Sequence, residues 1–145
     1  MTGEEIWRLV AAATAGMFLG FHYELRERPG GLRTHLITAV GGAVFAMTMM
    51  HADPGDTGRA VQGVASGVGF IGAAAVLKSQ RYVRGITAAA SIWVSAALGC
   101  AAGLGDSRLA VAVGAVVGVT DYVLYLLLGR RAAQSAKHGD DAWEG

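Results

Sequence analysis

The stretch Gly58 to Leu77, GRAVQGVASGVGFIGAAAVL, limits this chain more than any other. It is apolar enough to enter a bilayer, yet it carries five glycines, at positions 58, 63, 67, 69 and 72. Each interior Gly costs a water-exposed helix roughly 1 kcal/mol relative to Ala. A membrane tolerates that cost, because small residues let neighbouring helices approach closely and gain dispersion contacts. Gly63 and Gly67 form a Gly-xxx-Gly pair, and Gln62 and Ser66 bring polar side chains to the same run. The expectation is a tightly packed transmembrane helix at the centre of a small bundle. Gly67 to Gly72 also spells GxGxxG, but a dinucleotide fingerprint needs a preceding strand and an acidic residue about 20 positions on. Here the apolar run continues on both sides and the next acid is Asp106, so helix packing is the reading.

Composition agrees. Hydrophobic residues make up 53% and charged ones 16% of 145 residues, with 22 Gly and 2 Pro, which excludes disorder and points to one membrane domain. The lone Cys100 lies in an apolar run and reads as a buried thiol. Glu4 and Glu5 open the first run where a secretory signal would carry basic residues.

Each crossing of a roughly 30 Å hydrocarbon core needs about 20 helical residues. Five runs approach that length: Ile6 to His22, His35 to Met50, Gly58 to Leu77, Gly85 to Leu104 and Leu109 to Gly129. Further Gly-xxx-Gly pairs stand at 16–20, 99–103 and 114–118. Five crossings put Arg26, Arg28, Arg33, Lys78, Arg81, Arg84, Arg130, Arg131 and Lys137 on one side, nine of the 12 basic residues. Arg8, Arg59 and Arg108 fall on the other, beside Glu4, Glu5, Asp53, Asp56 and Asp106. The positive-inside rule then places the N-terminus outside and the C-terminus in the cytoplasm. Short loops make successive helices antiparallel neighbours. Pro29-Gly30-Gly31 reads as a turn, and Thr34 and Thr87 stand where they can cap re-entering helices. Residues 1–129 thus form a five-span domain, and 130–145 a short polar tail whose HGDD can bind a metal or simply be solvated.

Three stretches in register, GGLRTHLITAVGGAVF, RAVQGVASGVGFIGAAAVL and VRGITAAASIWVSAALGCAAGLG, resemble the MgtC/SapB family over roughly residues 16 to 105. The resemblance implies a bacterial inner-membrane protein of four or five spans. It also implies a link to virulence and to survival in low magnesium, either as a transporter or as a regulator of membrane proteins such as cation-pumping ATPases or the ATP synthase. It carries over to Glu24, Gly31, Leu32, Arg33 and Thr34; to Asp53, Arg59, Gln62, Gly67, Gly69, Phe70 and Gly72; and to Arg84, Gly85, Thr87, Ala89, Ala90 and Trp93. The chain departs from the family pattern after Gly20, where His22 and Tyr23 replace an acid and an arginine, and at Ala74 and Ala88. The soluble C-terminal domain of longer members is expected to be missing.

Asp121 is the sharpest signal from physics alone. A carboxylate near the membrane midplane costs about 2.5–3.5 kcal/mol, so it should face the bundle, a wet cavity or a partner. It reads as an ion or proton site, or as a structural hydrogen bond with Tyr122 or Tyr125 nearby. Glu24 and Arg33 flank a tight turn and can pair there, as a gate or docking point or as ordinary loop solvation. Asp53 and Asp56 can attract Mg²⁺, which keeps most of its waters, or lie in a solvated turn in which Asp56 is the residue placed for turn chemistry. Gln62 with Ser66 and Thr87 with Ser91 each share a helix face, to line a polar path or to bond between helices. Trp93 lies mid-span and reads as packing.

No nucleophile–base pair, HExxH, P-loop or CxxC occurs, so no enzymatic activity is expected. No resident cofactor and no nucleic-acid partner are expected either; Mg²⁺ enters as a transported or sensed ion. The expected fold is an all-α bundle of five transmembrane helices in the bilayer, self-associating or bound to another membrane protein. The expected function is participation in Mg²⁺ homeostasis, as a cation pathway through Asp121 or as a non-transporting regulator.

Overall fold

The computed structural model describes residues 2–25, 31–78 and 83–140, with side chains described at 2–21, 23–25, 31–76 and 85–127. Arg26, Arg28, Pro29, Gly30, Arg81 and Asp141 therefore lie outside the described residues. So do the side chains of Lys78, Arg84, Arg130, Arg131, Lys137, His138 and Asp140.

Five long helices make the fold: α1 (Gly3–Glu24), α2 (Leu32–Ala52), α3 (Thr57–Ala75), α4 (Ile86–Leu104) and α5 (Ser107–Asp140). A 3₁₀ turn, Pro54–Asp56, joins α2 to α3. Between α3 and α4 the two-residue strands β1 (Leu77–Lys78) and β2 (Val83–Arg84) pair antiparallel. Among the described residues, three segments are long and apolar enough to cross a membrane: Leu32–Ala52, Ile86–Leu104 and Ser107–Leu127. The fifth helix, expected to stop at Gly129, runs on to Asp140.

Local chemistry sets the helix ends. Thr2 and Glu5 form a reciprocal capping box that starts α1. Thr34 and Thr87 do not cap. The residues at those positions are Gly31 and Gly85, neither with a side-chain cap bond, and the threonines sit inside the first turns. At α2 the missing cap comes from α1, where the Glu24 Oε2 accepts from the Leu32 N–H at 2.9 Å. Gly85 has φ +91, and a Cβ there would run into the Ala75 carbonyl, so the turn from hairpin to α4 requires glycine twice over.

The centre of the bundle is α4, not α3. Ala88, Ser91, Ile92, Ser95, Ala96, Leu98, Gly99, Cys100, Ala102 and Gly103 are all buried, whereas α3 buries Val68 and Gly72. The physical reason lies in the partner surfaces. Gly42, Gly99 and Gly103 line one seam between α2 and α4. A Cβ on Gly99 would overlap the Ala39 carbonyl, and one on Gly103 would lie 2.5 Å from the Ala43 carbonyl. Gly16 and Gly20 admit the backbone of α2, and Gly114 and Gly118 admit that of α1. Three of the four Gly-xxx-Gly pairs are thus consumed inside the chain, as close packing demands. The pair on α3 is not: a Cβ on Gly63 or Gly67 would meet nothing within 4 Å.

The residue distribution is inverted relative to a water-soluble bundle. Ala11, Ala12, Ala15, Leu19, Ala43, Leu98, Ala102 and Ala110 form the main core, while Phe70 is 82% and Phe45 66% exposed. Small residues inside and large apolar ones outside suit a lipid solvent, which gives large side chains no reason to hide.

Candidate functional site

The first feature is a groove of about 600 Å³ between α2 and α3. Gly41, Gly63 and Gly67 form its floor, with Ile37, Phe45 and Ile71 among its walls. Gln62 and Ser66, on α3 beside those glycines, are exposed. Among the described residues neither side chain makes a hydrogen bond, so they do not line an interior path. Gly69 also faces open space; of this helix's five glycines, Gly72 alone is placed so that a Cβ would meet α4, 3.5 Å from the Ala89 carbonyl. Trp93 reaches across from α4, half exposed, and its Nε1–H donates to the Ala65 carbonyl at 3.3 Å. The indole ties α3 to the bundle beside the groove. A second apolar groove, about 510 Å³, runs between α1 and α5 past Phe18, Phe21 and Tyr122.

The second feature is a buried polar cluster at the N-terminal end of α2. His35 has no exposed surface. Its Nδ1 lies 3.1 Å from the Gly31 carbonyl and its Nε2 lies 2.8 Å from Ser91 Oγ on α4. Ser91 Oγ also stands 3.0 Å from the Ala88 carbonyl. The buried Tyr23 ring stacks on the imidazole at 5.3 Å between centroids. The sequence named Ser91 as a candidate but gave His35 no site role, because His35 and His51 lie at opposite ends of one apolar run, too far apart to share a metal. Thr87, one turn before Ser91, is exposed, so that pair is split between inside and outside.

The expected Glu24–Arg33 pair does not form among the described residues. Glu24 instead holds the Leu32 N–H, and Arg33 is exposed. At the opposite end Asp53 Oδ1 accepts from the Gly55 N–H at 3.0 Å, an Asx turn, and Asp56 pairs with Arg59 at 3.0 Å. There Arg8 donates to the Gly103 carbonyl at 3.0 Å, meeting the negative end of α4, and Glu5 meets His51 at 3.1 Å. The Thr2 N–H, 2.7 Å from Glu5 Oε2, lowers that carboxyl below its usual range, with His51 adding to the effect against some burial. Asp121 on α5 is half-buried. Among the described residues no group of three or more His, Cys, Asp or Glu side chains comes together to hold a metal.

Fold and site define a small, all-helical protein with membrane-length apolar helices, a close-packed Ala/Gly interior and an open small-residue groove. The profile of the MgtC family matches residues 9–129, and the chain belongs to that family. It is 36% identical over 129 residues to Protein MgtC of Salmonella typhimurium, covering 89% of this chain and 54% of that protein. Protein SrpB of Synechococcus elongatus is 36% identical over 95% of this chain and 81% of its own. The Escherichia coli K12 protein named "Putative magnesium transporter YhiD" is 36% identical over 77% of this chain and 56% of its own length. The chain thus spans about half the length of the MgtC proteins. No solved structure matches it.

Proposed function

We propose that this chain is a five-span, inner-membrane interaction protein of Mg²⁺ homeostasis, whose α2–α3 groove receives a transmembrane helix of another membrane protein. The observation that carries this reading is the open Gly63–Gly67 pair, with the unbonded Gln62 and Ser66 beside it. Polar side chains facing lipid are costly unless bonded, and an open glycine floor lets a second backbone approach. A partner helix with a small-residue face and a polar group answers both. Cation-pumping ATPases and the ATP synthase are the partner classes that the family resemblance suggests. The five-span arrangement is supported by α1 and α3, of 22 and 19 residues, which match the length of the apolar helices they lie against. The charge asymmetry of the loops supports an outside N-terminus.

A cation pathway is the second reading, favoured by the half-buried Asp121 within a membrane-length segment and by the name of the YhiD relative. Growth in low Mg²⁺, in cells that depend on this chain, separates the two. Filling the groove with Gly63→Leu and Gly67→Leu is expected to abolish growth support while protein level and fold persist. Asp121→Asn is expected to leave it intact. The reverse pattern overturns the proposal. Self-association through the same face is the competing occupant: a crosslink from Gly67→Cys joining two copies of this chain would identify it.

A further inference from the structure

The hydrogen bonds around His35 cannot all be made by one neutral imidazole. The Gly31 carbonyl only accepts, so Nδ1, 3.1 Å away, carries a proton. A neutral ring then has a lone pair on Nε2, which must accept from the Ser91 hydroxyl at 2.8 Å. That leaves the Ala88 carbonyl, 3.0 Å from Ser91 Oγ, without the hydroxyl proton. In a doubly protonated ring Nε2–H donates to Ser91 Oγ, and the hydroxyl turns to donate to Ala88. Both states satisfy every side-chain atom in the chain of bonds, and they differ by one proton and one hydroxyl rotation.

We infer that His35 and Ser91 form a buried proton-binding site, in which the ring takes up a proton and the Ser91 hydroxyl swings from Nε2 to the Ala88 carbonyl. No heavy atom has to move, so the close-packed seam of α2 and α4 is no obstacle. Arrangements that bond only one protonation state lock a buried histidine; among the described residues, the Gly31 carbonyl and the Ser91 hydroxyl can bond both. The groups around it come from three helices. From α1 Tyr23 stacks on the ring, and Glu24 binds the Leu32 N–H in the same helical turn as Gly31. From α2 itself come the positive helix end and the exposed Arg33, which oppose the cation. From α4, among the described residues, come the hydroxyls of Ser91 and Ser95, the latter donating to the Ser91 carbonyl at 3.1 Å. Ring, hydroxyl and Glu24 thus link α1, α2 and α4 at one end of the bundle, where a proton changes the bonding between helices. The inference does not depend on what occupies the groove.

The test uses the full chain in lipid nanodiscs, with His22, His51 and His138 replaced by Gln so that His35 is the single histidine. Ring ¹⁵N spectra are recorded between about pH 5 and 8, where an ordinary histidine changes charge. The expected result is Nδ1 protonated and Nε2 bare at the alkaline end, both protonated at the acid end, with reversible exchange and an unchanged helical fold. Ser91→Ala, which removes the receiver for the second proton, is expected to lose the transition from this window, and Ser91→Thr to keep it. A wild-type ring that stays in one state throughout, or an Nε2–H neutral form, overturns the proposal. So does a Ser91→Ala chain that titrates like the wild type.

Discussion

Gly99 of α4 lies directly against the backbone carbonyl of Ala39 on α2, with no room for even a methyl group between them. This contact sets the separation of the two helices at the bundle centre, and Ala39, Ala43 and Ala46 are buried along the same seam. Gly99→Ala must push the helices apart or strain both, a cost of about 1–3 kcal/mol for an overpacked site. A clear drop in the thermal unfolding midpoint in detergent is expected. Gly63→Ala serves as the contrast. It adds the same methyl group on a helix where nothing lies within 4 Å, and should leave the midpoint unchanged or slightly raised.

Gly85 combines a left-handed φ of +91 with the close approach of the Ala75 carbonyl. Any side chain there meets both penalties. Gly85→Ala is expected to cost at least about 1–2 kcal/mol. Limited proteolysis should then cut near the β1–β2 hairpin faster than in the wild type. Unchanged cutting and unchanged stability would remove the structural reason for this glycine.

Glu5 gives the α1–α2 end a pH dependence. Its carboxyl is held below the usual 4.5, chiefly by the Thr2 N–H. A depressed folded value means that the stabilisation is complete above the ordinary value and is lost as pH falls through the folded one. Stability should therefore be flat above about 4.5 in respect of this group and decline below it. Glu5→Gln should remove that part of the acid slope. An identical slope in the variant would show that Glu5 contributes none of it.

Much of the fold was legible in the sequence because helix period, span length and Gly-xxx-Gly spacing act locally. The first four helices follow their apolar runs closely while the fifth runs past its own to Asp140, and Gly16, Gly20, Gly99, Gly103, Gly114 and Gly118 all pack as small residues should. What local pattern lacks is partner choice. The glycine density of α3 resembles that of a central helix, but Gly63, Gly67 and Gly69 face away from the bundle, and only the three-dimensional arrangement decides that.

The site residues divide in the same way. A turn between α2 and α3 was legible as one of two alternatives, but its side-chain chemistry was expected of Asp56, whereas Asp53, two residues before Gly55, makes the Asx turn and Asp56 pairs with Arg59. The use of Glu24 on the Leu32 N–H was not, because Arg33 offered a more obvious charge partner in sequence. His35 and Ser91 are 56 positions apart, and no spacing rule joins residues on two helices that meet only through α2–α4 packing.

The most direct test of the central claim is Mg²⁺ entry into liposomes that hold the purified chain and a trapped indicator dye. Wild type and Asp121→Asn are compared with and without an imposed potential, after insertion and helical content have been verified. A protein that acts through its groove on another membrane protein should admit no Mg²⁺ above the level of empty liposomes, in either form. Flux through the wild type that Asp121→Asn abolishes would contradict the account and make Asp121 part of a cation pathway.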